Sequence, residues 1–252
     1  MPQLIASPHN PRFKLWKSLL DGRGIRKQQR FLHAGRKAVP EVLARHPERF
    51  EAVLCLQEDQ LAGLPLPPAL PRYRLAPALF AQLDVIGTRF PLLVGRLPAF
   101  PRADLAAPPR GLELVCALGN PDNLGALLRS AAAFGVRRVI LLPEAAQPFH
   151  PRALRAGANA QFELELLQGP GWTELPAAAG PLLALDAGGE PLDRFDWPRD
   201  LRLVLGEEGK GLPPSLPLRR LAIPTTGRVE SLNATVAASL ALYAYYQAVR
   251  PG

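Results

Sequence analysis

From residue 112 onward, short apolar runs alternate with longer stretches of helical periodicity, and three of the runs end in a polar, glycine-bearing turn. The runs Leu112–Leu118, Arg138–Leu142, Leu182–Asp186, Leu201–Leu205 and Arg220–Ile223 read as strands, and Leu124–Phe134 and Leu232–Val249 read as helices. An uninterrupted apolar run suits a strand covered on both faces, whereas a half-exposed strand alternates apolar with polar. The expected architecture is therefore α/β, a mostly parallel sheet clothed by helices. In such sheets ligands bind beyond the carboxyl ends of the strands, which directs attention to the turns.

A smaller α/β unit is predicted ahead of this one. It comprises a helix over Phe13–Leu20 closed by Gly22 and Gly24 before a basic loop, then a strand at Phe31–Ala34 and a helix at Lys37–Arg45. A strand at Ala52–Leu56, a helix at Pro77–Leu83 and a strand at Leu92–Leu97 follow. The proline-rich run that comes next denies a continuous helix or central strand. It is expected to be a semi-rigid linker at 99–110, separating a domain at 1–98 from one at 111–252.

Of 252 residues, 48% are hydrophobic, enough for a packed core and too many for a disordered chain, while 29 Pro and 21 Gly call for numerous turns. Cys55 and Cys116 are the only cysteines, and His9, His33, His46 and His150 show no zinc-binding spacing, so no metal site and a reducing compartment are expected. Met1–Lys14 lacks the apolar stretch of a secretory signal, which points to the cytoplasm. Leu232–Val249 is free of charge but contains Asn233, Thr235, Ser239 and Gln247; it reads as a buried helix of a soluble protein, with no membrane partner.

The formal charge of +8 is concentrated. Residues 1–37 hold Arg12, Lys14, Lys17, Arg23, Arg26, Lys27, Arg30, Arg36 and Lys37 against Asp21 alone, and the rest of the chain is balanced. Such asymmetry points to a polyanion, and the interleaved Phe13, Trp16 and Phe31 would add base-stacking surfaces if exposed; a solvated basic face is the alternative.

The first polar turn, Gly119–Gly125, holds Asn120 and Asn123, two of five asparagines in the chain. Asn123 is a candidate helix cap or ligand group, and Arg129, amid the apolar residues of the next helix, needs an anion or a structural carboxylate. The second turn, Gly206–Leu212, has neither phosphate-loop nor common dinucleotide spacing, so nucleotide hydrolysis loses support. The third, Ile223–Asn233, places Ser231 and Asn233 at the start of the last helix, where they either cap it or meet a polar ligand.

The order Asn123, Gly125, Arg129, then Gly206, Glu208, Gly209, Gly211, Leu212, then Ile223, Pro224, Gly227, Ser231, Leu232, Asn233 resembles the three motifs of the SpoU (TrmH-type) RNA 2′-O-ribose methyltransferases of the SPOUT superfamily. Ser7–Pro11, the basic segment and Phe31–Arg36 resemble that family's small RNA-binding domain. The resemblance implies a trefoil knot in the carboxyl-terminal domain, S-adenosylmethionine as cofactor, RNA as partner (ribosomal ahead of transfer RNA) and a homodimer through that domain. It implies that Gly206, Ile223 and Leu232 contact the cofactor and that Asn123, Arg129, Glu208, Ser231 and Asn233 form the reaction site. It also implies RNA contacts from the basic residues of the first domain. Thr225, Ala234-Thr235 and Arg155–Ala160 depart from the family's usual residues, which bears on substrate identity. A non-catalytic RNA-binding or ribosome-assembly protein on the same fold, and a base methyltransferase, are the competing readings.

Overall fold

The structure, a computed structural model, describes residues 1–249; residues 250–252, the end of the domain expected at 111–252, lie outside the described part. The elements run β1 (Gln3–Ile5), α1 (Pro11–Ser18), α2 (Gly22–Gln28), β2 (Arg30–His33), α3 (Ala38–Arg45), β3 (Phe50–Cys55), β4 (Arg72–Leu75), α4 (Pro77–Leu83) and β5 (Leu92–Arg96). They continue β6 (Leu112–Cys116), α5 (Pro121–Ala133), β7 (Arg138–Leu141), α6 (Pro151–Gly157), β8 (Glu165–Gln168), β9 (Leu182–Pro191), β10 (Leu201–Leu205), β11 (Arg219–Ala222) and α7 (Ala234–Val249). The chain divides into two compact units, Met1–Ala99 with Gln147–Asn159, and Phe100–Ala146 with the chain from Ala160 onward.

The first unit is a five-stranded sheet in the order β1-β4-β3-β5-β2, with β5 antiparallel to both neighbours. Local chemistry sets its helices. Asn10 caps α1 by accepting from the Arg12 amide at 2.9 Å, with Pro11 at the first helical position, and Asp21 caps α2 by accepting from the Arg23 amide. The glycines at 22 and 24 therefore do not open a loop: the basic segment is itself helix α2, which the sequence reading missed. Gly24 allows α2 to lie on the end of α1, since a Cβ there would sit 1.8 Å from the Ser18 carbonyl oxygen. Phe13, Trp16 and Phe31 are buried, at 1%, 4% and 0% exposure, so they are core and offer no stacking surface. Phe31 packs against Phe50 and, at 4.8 Å between ring centroids, against Phe149. Phe149 and α6 come from the middle of the chain, so this unit is not contiguous in sequence as the domain boundaries at 98 and 111 assume.

The second unit is a six-stranded parallel sheet in the order β11-β9-β10-β6-β7-β8. Val115, Ile140, Leu167, Ala184 and Val204 share one face and a core cluster with Leu175, Leu212 and Leu216, onto which Ala103 and Leu105 pack. Helix α7 packs against α5 and β9, and two hydroxyls pin it to α5: Thr235 Oγ1 donates to the Asn123 carbonyl at 3.0 Å and Ser239 Oγ to Ser130 Oγ at 2.8 Å.

The proline-rich segment is a strap on this sheet, not a free linker. Gln168 donates to the Pro101 carbonyl, Ala103 donates to the Gln168 carbonyl, and Ala179 donates to the Leu105 carbonyl. Beneath it, four strands align Arg202, Glu113, Arg138 and Glu165 in register. Arg202, 2% exposed, donates to Glu113 at 2.8 Å and to the carbonyls of Ala179 and Ala107; Arg138 donates to Glu113 and Glu165. The ladder stands near the amino ends of the strands, leaving the carboxyl ends for a site.

Candidate ligand site at the carboxyl ends of the parallel strands

Three turns leave the carboxyl ends of β6, β10 and β11, and residues from all three line a pocket of about 820 Å³. The turn after β10 is closed by reciprocal backbone bonds between Glu207 and Gly211 at 3.0 and 2.9 Å. It requires glycine at 206, because a Cβ there would lie 2.5 and 2.6 Å from the Gly211 carbonyl carbon and oxygen. Gly206, Ile223 and Leu232, the residues expected to contact a cofactor, all line the pocket, as do Asn123, Glu208, Ser231 and Asn233.

Glu208 and Asn123 knit two of the turns together. Glu208 Oε2 accepts from the Gly119 amide at 2.8 Å, and its Oε1 accepts from the Asn120 amide at 3.3 Å and from Asn123 Nδ2 at 3.2 Å. The cap of α5 is Asn120, whose side chain accepts from the amides of Asp122 and Asn123; the capping alternative considered for Asn123 gives way to this tie to Glu208. Asn233 does cap: its Oδ1 accepts from the Thr235 amide at 3.0 Å and the Val236 amide at 3.3 Å, leaving its Nδ2 for a ligand. Thr235, 9% exposed, ties this turn to the Asn123 carbonyl, so the three turns form one bonded set.

Arg129 stands apart from the pocket lining. It is exposed on α5 and, among the described residues, makes no hydrogen bond or ion pair, so of the two expected partners, an anion or a structural carboxylate, the carboxylate is absent and the anion is left. An arginine on an otherwise apolar helix is tolerated because its own position faces outward. Cys116, at the end of β6, is fully buried, and burial pushes its thiol up to about 12, so it is no nucleophile.

The pocket lining carries four carboxylates, Asp186, Glu207, Glu208 and Glu230, and one cation, Lys210, which donates to Glu207 at 3.0 Å. That excess favours a ligand with positive charge. Asp186 and Thr235 were not among the expected site residues; the signal for the first was a carboxylate at the end of a predicted strand.

In the first unit Arg12, Lys14, Lys17, Arg23, Arg26, Lys27, Arg36 and Lys37 are exposed. Arg30 is different, being half-buried and paired with Glu51, so it belongs to the sheet's own chemistry. Arg36 donates to the Thr88 carbonyl and lies over the Phe90 ring. Exposed Arg72 and Arg74 on β4 add charge outside the first 37 residues, and Arg12 lies 5.3 Å over the partly exposed ring of Tyr73. No described helix is long and apolar enough to cross a membrane.

A parallel sheet with turns from three strand ends meeting in one pocket defines an α/β protein whose candidate ligand site lies at the carboxyl ends of its strands. The pattern of the SpoU rRNA Methylase family matches residues 114–243, over half of the chain, and the chain belongs to that family. It is 28% identical over 246 residues to the 23S rRNA (guanosine(2553)-2′-O)-methyltransferase RlmP of Bacillus subtilis, covering 95% of this chain and 97% of that protein. It is 41% identical over 242 residues to the ribosomal RNA small subunit methyltransferase G 2 of Syntrophobacter fumaroxidans, covering 96% of this chain but 48% of that one, so the chain spans about half of that relative's length. The fold matches an AdoMet-bound rRNA methyltransferase from Sinorhizobium meliloti with a TM-score of 0.80 at 21% identity, over 99% of each chain.

Proposed function

We propose that the protein transfers a methyl group from S-adenosylmethionine to a ribose 2′-hydroxyl of ribosomal RNA. The observation that carries this reading is the convergence of the three motif turns on one pocket at the carboxyl end of the sheet. The backbone-lined Gly206 turn with Ile223 and Leu232 fits an adenosyl group, and the surplus of carboxylates fits its sulfonium charge. Once bound, the cofactor supplies an electrophilic methyl carbon, so the protein has to align a hydroxyl oxygen with it and dispose of one proton.

Asn233 Nδ2 and the exposed Ser231 hydroxyl are free to hold the ribose. Glu208, already accepting three N–H bonds, fixes Asn123 and the first turn in place of acting as a base. Arg129 cannot abstract a proton, because a guanidinium stays protonated. Its role is to clamp a phosphate and stabilise charge developing on the ribose oxygen, and the proton passes to a substrate phosphate oxygen.

The exposed basic residues of α1, α2 and the α3 approach receive the RNA backbone, with Tyr73, Arg72 and Arg74 extending that surface. The second unit pairs with a second copy through α7, where Val236, Leu240, Tyr243 and Tyr246 are 40–50% exposed and Phe134 packs on both tyrosines. Membership of the family is what supports a trefoil knot in the second unit. The protein acts in the cytoplasm, a reading supported by its likeness to rRNA methyltransferases.

Incubation with ribosomal RNA and methyl-labelled cofactor, followed by complete digestion to nucleosides, tests the reading. Label in 2′-O-methylnucleosides is expected. Label in a base overturns the ribose assignment, and no label in any RNA overturns the enzymatic one.

A further inference from the structure

Strand β9 follows β10 through the pair Leu185 and Leu205, but its pairing with β11 jumps: Arg220 faces Ala184, and the next residue, Leu221, faces Glu190. Residues 185–189 therefore bow out of the sheet at its carboxyl end, and Leu185, Asp186 and Ala187 form a wall of the pocket. Gly189 lets the bow close onto β11, because a Cβ there would lie 2.5 Å from the Arg220 carbonyl carbon.

The carboxylate of Asp186 is held from two sides. Arg220 Nη1 donates to Oδ2 at 2.8 Å, and the Gly188 amide donates to Oδ1 at 2.9 Å. Each oxygen keeps a second lone pair, so the group is oriented without being used up. The other pocket carboxylates differ: Glu208 accepts three bonds from the first turn, two of them on one oxygen, Glu207 is bound by Lys210, and Glu230 lies in an exposed turn. A fixed carboxylate where β9 bows out of the sheet, beside the apolar Leu185, Leu205 and Ile223, matches the chemistry of a vicinal diol attached to a flat base.

We infer that Asp186 accepts hydrogen bonds from the ribose hydroxyls of the cofactor's adenosine, and so selects adenosyl over deoxyadenosyl ligands. This rests on the cofactor reading above. It makes the register jump in β9 a device for placing one carboxylate, with Arg220 as its positioning residue.

Calorimetry on the full chain with S-adenosylhomocysteine and its 2′-deoxy and 3′-deoxy analogues tests it. The wild type is expected to bind at least one deoxy analogue about tenfold more weakly, the scale of a hydrogen bond to a charged acceptor. In Asp186→Ala that ratio should fall to within about twofold, with Asp186→Asn in between, while an Asp193→Asn control, at an exposed carboxylate outside the pocket lining, keeps the wild-type ratio. A merely structural aspartate would weaken all three ligands alike and leave the ratio intact. Retention of the full ratio in both Asp186 variants, or equal binding of all three ligands by the wild type, overturns the inference. Failure of the wild type to bind S-adenosylhomocysteine at all overturns the cofactor reading itself, and the inference with it.

Discussion

The guanidinium of Arg129 is exposed and makes no bond within the described chain, so removing it should leave fold and cofactor pocket intact. Arg129→Ala is expected to bind the cofactor within a few-fold of wild type while losing about 10²–10³ in single-turnover rate, the scale of a lost oxyanion donor. A near wild-type rate would show that the arginine is not used. His33 offers a separate test of the first unit. Burial pushes its imidazole from 6.5 down to about 4, against the opposing pull of the Asn159 side chain and the Ala38 backbone. Between these values the unfolded chain binds the proton and the folded one does not, so stability is complete above pH 6.5 and is lost as pH falls toward 4. The loss is about 3 kcal/mol for this one group. Urea denaturation across that window should give a clear slope for the wild type and a flatter one for His33→Gln.

At the scale of elements, the Arg202–Glu113–Arg138–Glu165 ladder joins four strands and, through the Ala107 carbonyl, holds the proline-rich strap. Arg202→Met takes from the buried Glu113 carboxylate its buried partner, leaving the half-exposed Arg138, and should cost about 3–5 kcal/mol, whereas Arg202→Met with Glu113→Leu should recover much of the loss. Equal destabilisation of the single and double variants in urea would mean that the strap, not the buried charge, carries the effect. Pattern reading worked where one physical signal dominated. Leu201–Leu205 and Pro77–Leu83 have the bounds read from apolar content and an initial proline. It failed where tertiary partners decide. Arg72–Leu75 alternates charge with apolar residues and looks like surface, yet it forms β4 because β1 and β3 flank it. Gly22–Gln28 has poor helix propensity and is rescued by its Asp21 cap and its seat on α1. The pocket motifs were legible as residues, but the division of labour among the asparagines was not, because a cap and a ligand group are the same residue type in sequence.

For the whole molecule, the charge asymmetry and the apolar helix make independent claims. Replacing Arg23, Arg26 and Lys27 on α2 with Gln should leave cofactor binding unchanged and flatten the salt dependence of RNA binding. With about 0.7 counterions released per neutralised phosphate of a single strand, the log–log slope should fall by roughly 2. An unchanged slope would remove α2 from the RNA surface. The wild type should sediment as a dimer and Leu240→Glu as a monomer, since a charge at the centre of an apolar contact is left unpaired when buried. A wild-type chain that stays monomeric at tens of micromolar would leave the face of α7 unexplained.

The membership of Gln147–Asn159 in the first unit sets a timetable for synthesis. Phe149 is needed to fill the cluster around Phe31, and the Asn159 side chain donates to the Ala38 carbonyl. When Ala99 leaves the ribosome the unit still lacks these pieces, and at about 5–20 residues per second it waits several seconds for them. During that interval β6, α5 and β7 also emerge, so neither unit finishes before the other has begun. Nascent chains arrested before residue 147 should therefore be readily cut by protease within the first 99 residues, and chains long enough to expose residue 159 should resist.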